Sequence, residues 1–322
     1  MTVVRIVKNW DWPDLMRQTP GHRGIWDGIT FTEEPVEECD YTIVLNGAKE
    51  STSVTCAPQQ IWYMAMEPPT EFRKFWHDHP SYAFRTFTTD PNRQGQEYIH
   101  SHGTNAWQFD ADYDFLLSCD MPEKTRQLAW ITSNQSILKG HRKRMIFLKQ
   151  IRGKLDFDLW GRGFRPIADK WAGLAPYRYS IAVENYRNSL YWSEKLIDCY
   201  LAWCMPIYYG CTRITDYFPA ESLIQVDINE PKVAVEIIKE AIADQAWARN
   251  LDAITHAREL ILNQYQMFPF LVRQIRHFES THGRFFEQQT VTIPRRAFNI
   301  EKRFWPELAV RQATYYLTRW IR

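Results

Sequence analysis

Short apolar runs separated by longer polar stretches dominate the chain. This pattern belongs to parallel strands buried on both faces rather than to half-exposed hairpins. In the first hundred residues the runs fall at residues 3–7, 41–45 and 61–66. Polar, proline-containing segments separate them, which predicts an amino-terminal α/β domain over residues 1–122. Met121-Pro122-Glu123-Lys124 reads as a linker, and a second α/β domain is expected over residues 123–290. Its strands are predicted at Gln127–Thr132, Leu155–Gly161, Tyr179–Val183 and Pro206–Gly210. Between the last two, Leu196, Ile197, Tyr200, Leu201 and Cys204 recur at helical spacing, and Ser193 suits an N-cap. Strand, loop, helix and strand of this length make a right-handed βαβ crossover. A later helix is predicted from Pro231 to Ala248, and a helical tail over residues 291–322.

Composition narrows the function classes. A chain of 322 residues can hold two cores of ordinary size. A formal net charge of +1 gives none of the basic field that nucleic-acid binders use. Glycine is sparse, and neither GxGxxG nor a P-loop occurs. The many Trp, Tyr and Phe residues are expected mostly in the cores, with sugar-facing platforms as a secondary use. Six cysteines show no CxxC pair and no zinc spacing, and Cys199 and Cys204 read as small core residues. The first residues lack the apolar stretch of a signal peptide, and no run approaches the ~18 residues of a membrane span. A cytoplasmic enzyme is therefore expected.

The βαβ unit carries the candidate chemistry. Ligands of parallel sheets bind at the carboxyl ends of strands, against helix N-termini. Glu184, Asn185, Tyr191, Glu194 and Lys195 would gather there as an anion pocket. Lys195 in a first helical turn opposes the macrodipole unless an anion is near. A solvated surface pair with Glu194 is the plainer alternative. In the first domain, the run Ile61–Met66 stops at Glu67-Pro68-Pro69, which leaves a carboxylate at a strand end. Glu71 and Asp90 are its nearest rivals. Two DxD triplets, in Asp110-Ala111-Asp112-Tyr113-Asp114 and Asp156-Phe157-Asp158, are read as a solvated loop and as part of a strand. His77-Asp78-His79 is read as a polar turn. No metal site is expected from any of the three.

The stretch from Tyr179 to Asp227 resembles the family 10 glycosyltransferases, the α-1,3/1,4-fucosyltransferases, in their bacterial form. The matching residues are Glu184-Asn185, Tyr191-Trp192-Ser193-Glu194-Lys195-Leu196, Pro206-Ile207-Tyr208-Tyr209-Gly210 and Pro219-Ala220-Glu221-Ser222-Leu223-Ile224. Upstream, Trp130-Ile131-Thr132-Ser133-Asn134, Arg144 and Leu155–Gly161 keep the family's order. The resemblance implies a GT-B fold, two Rossmann-like domains facing a central cleft, with the acceptor on the first and a nucleotide-sugar donor on the second. It implies inverting transfer of L-fucose from GDP-fucose to an acceptor sugar of a cell-surface glycan such as lipopolysaccharide, with no cofactor and no essential metal. Lys195 and Arg144 would hold the diphosphate, with His141, Arg142 and Lys143 as neighbours that a rotated helix would substitute for Arg144. Glu194 would reach the donor sugar, lined by Tyr191 and Asn185, and Glu184 would either join them or stabilise the loop. Glu67 resembles the family's strand-end Glu-Ser-Pro, with Pro in place of Ser, and would be the general base. A transferase of another nucleotide-diphosphate sugar and an inactive sugar- or nucleotide-binding module are the alternatives. The tail carries Arg295, Arg296, Lys302, Arg303, Arg311, Arg319 and Arg322 against Glu301 and Glu307, interleaved with aromatic residues. It is expected either to pack on the first domain or to lie on a membrane holding a lipid-linked glycan acceptor.

Overall fold

All three apolar runs of the first hundred residues become parallel strands. The computed structural model describes residues 2–296 together with Pro306, Ala309, Val310 and Ala313. Its first compact unit carries β1 (Thr2–Lys8), β2 (Ile25–Trp26), β3 (Ile29–Thr32), β4 (Tyr41–Leu45), β5 (Thr52–Cys56), β6 (Ile61–Ala65), β7 (Arg85–Thr88), β8 (Tyr98–His100) and helix α1 (Tyr113–Ser118). All but β5 join one sheet in the order β2-β3-β1-β4-β6-β7-β8, parallel except for the β2–β3 pair.

The second unit carries β9 (Arg126–Ile131), α2 (Lys139–Ile151), β10 (Asp158–Trp160), β11 (Tyr177–Val183), α3 (Glu194–Leu201), β12 (Met205–Tyr209), β13 (Ile224–Gln225), α4 (Pro231–Ala243), α5 (Ala246–Arg249) and α6 (Leu251–Leu260). Its five strands are all parallel, in the order β10-β9-β11-β12-β13. The order reverses between β9 and β11, so their carboxyl ends flank a topological switch point.

After Ile261 the chain returns to the first unit as α7 (Met267–His282) and β14 (Gln289–Ile293). The second unit thus closes before residue 290, and packing explains why. Period-two alternation sends Tyr41, Ile43, Trp62, Met64 and Phe87 to one face of the first sheet, where Phe268, Leu271, Ile275 and Phe278 of α7 cover them. Ile61, Tyr63 and Ala65 go to the other face and pack with Val54, Cys56 and Ile293 from the antiparallel β5–β14 ribbon. Both faces are buried, and the runs are apolar at all positions but Arg5 and Thr42 for that reason.

Four other segments differ from expectation. The Leu155–Gly161 segment contributes only the three residues of β10. The helix expected to reach Ala248 breaks where Gln245 adopts a left-handed φ of 52°, which separates α4 from α5. Lys124 is no exposed linker residue, because its buried ammonium donates to the Ala175 and Ala202 carbonyls at 2.8 and 2.5 Å. Of the tail, residues 291–293 belong to β14 rather than to a helix, and Arg296 donates to Tyr63 Oη and the Phe75 carbonyl. The remainder of the expected tail helix lies outside the described residues, apart from four isolated positions.

Candidate functional site

Two strand ends and two helix starts build the site in the second unit. Ser133 follows β9 by two residues and Asn185 follows β11 by two, at the switch point. The start of α2 lies against Asn185, and Gly140 permits it: a Cβ there would sit 1.7 Å from the Asn185 carbonyl oxygen. That approach sets the register of the basic run on α2. Lys143 points to solvent and Arg142 donates to the Ile137 carbonyl, whereas Arg144 is only 4 % exposed. Arg144 Nη1 donates to Asn185 Oδ1 at 2.6 Å, and Nη2 donates to Ser133 O and Oγ at 3.0 and 3.3 Å. Its Nε is buried with no hydrogen-bond partner among the described residues. Burial pulls the guanidinium down to about 10, partly opposed by Glu184 and Glu194. A planar five-donor group that spends some donors on orientation and keeps others is preorganised for an anion.

The start of α3 supplies the rest. Ser193 is its N-cap, as its residue type predicts, with Oγ accepting from Lys195 N. Glu184 is 1 % exposed, and its oxygens accept from Ser193 N and Oγ at 2.7–2.9 Å. Lys195 Nζ lies 3.0 Å from Ser193 Oγ, 2.9 Å from Glu194 Oε1 and 3.4 Å from Glu184 Oε2. The anion expected at this helix start is therefore present within the chain, as Glu184. Burial raises the Glu184 carboxyl, and Lys195 pulls against that rise. Burial alone would lower Lys195, but Glu194 and Glu184 outweigh it and push the ammonium up. Burial likewise works to raise Glu194, yet Lys195 and Lys170 hold it at about 2. So acidic a group is a fixed anion and a poor proton acceptor.

Arg144 meets Asn185 at the switch point, and Glu184, Glu194 and Lys195 meet at the start of α3. Glu184 takes the loop-stabilising form of its two readings, since both oxygens are engaged by Ser193. Tyr191 is buried, with its backbone N–H on Asn188 Oδ1 at 2.7 Å. Sequence reasoning missed Ser133 as a partner of Arg144, and also Lys170, whose Nζ holds buried Asp198 at 2.7 Å.

Glu67 stands in the first unit, two residues beyond β6, as expected. Its carboxylate pairs with Arg73, and its carbonyl oxygen meets His77 Nε2 at 2.9 Å. Burial lowers His77 to about 4, so the ring stays neutral and structural between Glu67 and Thr88. Asp90 is turned inward onto Asn92 and Arg93. Of the DxD residues, Asp112 accepts from Phe115 N at the start of α1, and Asp158 accepts from Arg126 and Tyr177.

Comparisons with known proteins agree with the motif. Residues 121–247 match the family model described as glycosyltransferase family 10 (fucosyltransferase) C-term. The 4-galactosyl-N-acetylglucosaminide 3-alpha-L-fucosyltransferase 9 of Bos taurus and that of Homo sapiens are each 23 % identical over 224 residues, covering 65 % of this chain. The match spans only 58 % of those relatives' length. An alpha-glucosyltransferase in complex with UDP and a 13-mer DNA superposes with a TM-score of 0.53 at 11 % identity, over 87 % of this chain and 100 % of its own. An alpha1,3-fucosyltransferase with GDP-fucose gives a TM-score of 0.46 at 16 % identity, over 83 % and 93 %. The fold is GT-B: mixed α/β with parallel sheets in both units.

Proposed function

We propose that this protein is an inverting, metal-independent α-1,3-fucosyltransferase that moves L-fucose from GDP-fucose to a hydroxyl of an acceptor sugar in a cell-surface glycan. The observation that carries this reading is Arg144: a buried guanidinium, tethered to both strand ends of a switch point, with its Nε unpartnered among the described residues. The family match over residues 121–247 and the names of the relatives supply fucose as the sugar.

In this reading Arg144 is the principal ligand of the diphosphate, because the ammonium of Lys195 is already shared with two carboxylates. Lys195 adds its charge from the helix start. Together they stabilise the negative charge that grows on departing GDP, the role a metal ion would otherwise fill. Glu194, permanently ionised, faces the donor sugar and favours the positive charge that develops at the anomeric carbon. Glu67 takes the proton of the acceptor hydroxyl as its oxygen bonds to that carbon. The bond to the diphosphate oxygen breaks, and GDP leaves with the electron pair.

Calorimetric titration with GDP-fucose, UDP-glucose and dTDP-rhamnose, each with and without EDTA, tests the reading. GDP-fucose is expected to bind preferentially and independently of EDTA, and Arg144→Met to weaken it by about 2–4 kcal/mol. Equal affinity for all three donors, or an unaffected Arg144→Met protein, would refute it.

A further inference from the structure

The amino ends of β9 and β11 open on a cavity of about 350 Å³ within the second unit, its wall including Gln127, Arg178, Ile242, Gln245, Trp247 and Ala248. These are the same two strands beyond whose carboxyl ends Ser133 and Asn185 hold Arg144. The run from Gln127 to Ser133 is mostly strand and spans roughly 20 Å. The cavity is therefore separate from the candidate diphosphate site.

Arg178 is its charged group. Tyr177 pairs with Arg126 and Tyr179 with Leu128, so Arg178 stands beside Gln127 on one face of the sheet. The polar groups around it are engaged elsewhere. Arg126 and Tyr177 Oη donate to Asp158, and Tyr179 Oη bonds the Ala241 carbonyl and Trp247 N. The Arg178 guanidinium has no hydrogen-bond or ion-pair partner among the described residues, and it lies over the Trp247 ring, 5.7 Å from the centroid. Arg178 is partly exposed, so its donors are open to a solute. No Asp or Glu of the described residues lines the cavity to offset the charge.

The wall opposite is held rigid. Trp247 N donates to Tyr179 Oη at 3.0 Å and Trp247 Nε1 to the Trp203 carbonyl at 2.8 Å, which fixes the indole under the guanidinium. Gln245, between α4 and α5, holds a left-handed φ of 52° and stands on the cavity wall. Such backbone strain in a non-glycine residue gathers at ligand sites.

These groups select a ligand class. A guanidinium stacked on an indole presents its fork in a fixed direction and matches a carboxylate or phosphate. Trp247, Ile242 and Ala248 offer apolar surface to a carbon skeleton. The carboxamides of Gln127 and Gln245 offer paired donors and acceptors, which suit hydroxyl groups. A volume of this size is in the range of small-molecule sites. We propose that the cavity is a second ligand site of this protein, for a small hydroxylated organic anion such as a sugar acid or a sugar phosphate, with Arg178 taking the anionic group.

Calorimetric titration with glucuronate, glucose 6-phosphate and glucose, each with and without GDP, tests the site. At least one of the two anions is expected to bind, and which one binds tells carboxylate from phosphate. Glucose should bind about tenfold more weakly or not at all, and Arg178→Gln should weaken the anion by about tenfold or more. Ala248→Glu, at an exposed helix position, sets a carboxylate in the cavity with Arg178 and should weaken the anion as much. It carries the test if Arg178→Gln does not fold. GDP and Arg144→Met act at the other end of the strands and should leave the anion's affinity within about twofold. Wild-type protein that binds neither anion, glucose binding as tightly as the anions, or unchanged affinity in either folded variant would overturn the inference. Displacement of the anion by GDP would overturn it as well, by placing the anion at the carboxyl ends.

Discussion

Replacing Lys195 by Met tests whether this residue serves the fold as well as the donor. On the sequence alone, Lys195 belongs to an anion pocket. The structure adds a role in stability. Glu184 is fully buried, and Lys195 is the cation that offsets its charge, 3.4 Å away. Removing one partner of a buried pair costs about 3–5 kcal/mol. The Lys195 side chain is 21 % exposed, so water already screens part of that attraction, and about 2–3 kcal/mol is the better figure. The loss should depend on pH in a definite sense. Glu184 has its folded pKa raised above the 4.5 of the free carboxyl, and without Lys195 it rises further. Folding then favours the protonated form, an advantage that is full below about 4.5 and lost as pH climbs through the folded value. The deficit of Lys195→Met against the parent should therefore widen from pH 5 toward pH 8, above a part lost with the Lys195–Glu194 pair that is already present at pH 5. Glu184→Gln combined with Lys195→Met removes the stranded charge and should recover most of the stability without recovering donor affinity. Urea denaturation at pH 5, 6.5 and 8 measures all three proteins. A deficit that stays constant with pH, or a double variant no better than the single one, would refute the electrostatic account.

Two further outcomes follow from the same structure. Glu67→Gln should lower turnover by about 10²–10⁴-fold while calorimetry finds GDP-fucose binding unchanged; turnover within a few-fold of the parent would place the base elsewhere. Phe278→Ala should destabilise the first unit by about 3–5 kcal/mol in thermal or chemical denaturation, because Phe278 is 0 % exposed and packs edge-on against Trp62 at 5.3 Å.

What was legible in the chain was whatever local pattern alone decides. Short, mostly apolar runs gave β1, β4 and β6, and a serine ahead of helical periodicity gave the start of α3. Arg144 was found by motif, but its inward direction was not, because that depends on Gly140 meeting a carbonyl some forty-five residues away. Lys124 read as linker for the same reason: its two carbonyl partners are brought by folding. The role of Glu184 was ambiguous between ligand and cap until Ser193 and Lys195 could be seen to close around it. The division between the units was misjudged at its far end. Helical periodicity tells that α7 has an apolar face but not which sheet that face will cover.

The return of α7 and β14 to the first unit also bears on how this protein comes into being on the ribosome. The sheet strands of that unit are complete within the first hundred residues, yet the helix that covers one face and one strand of the ribbon that covers the other are encoded after residue 260. At about 5–20 residues per second, roughly two hundred residues of further synthesis take about 10–40 s. For that interval Tyr41, Trp62 and Phe87 have no partner helix, while the second unit, whose strands and helices are contiguous in the chain, can complete itself first. The order of maturation is thus the reverse of the order of translation, and the nascent first unit is the stage most in need of a chaperone.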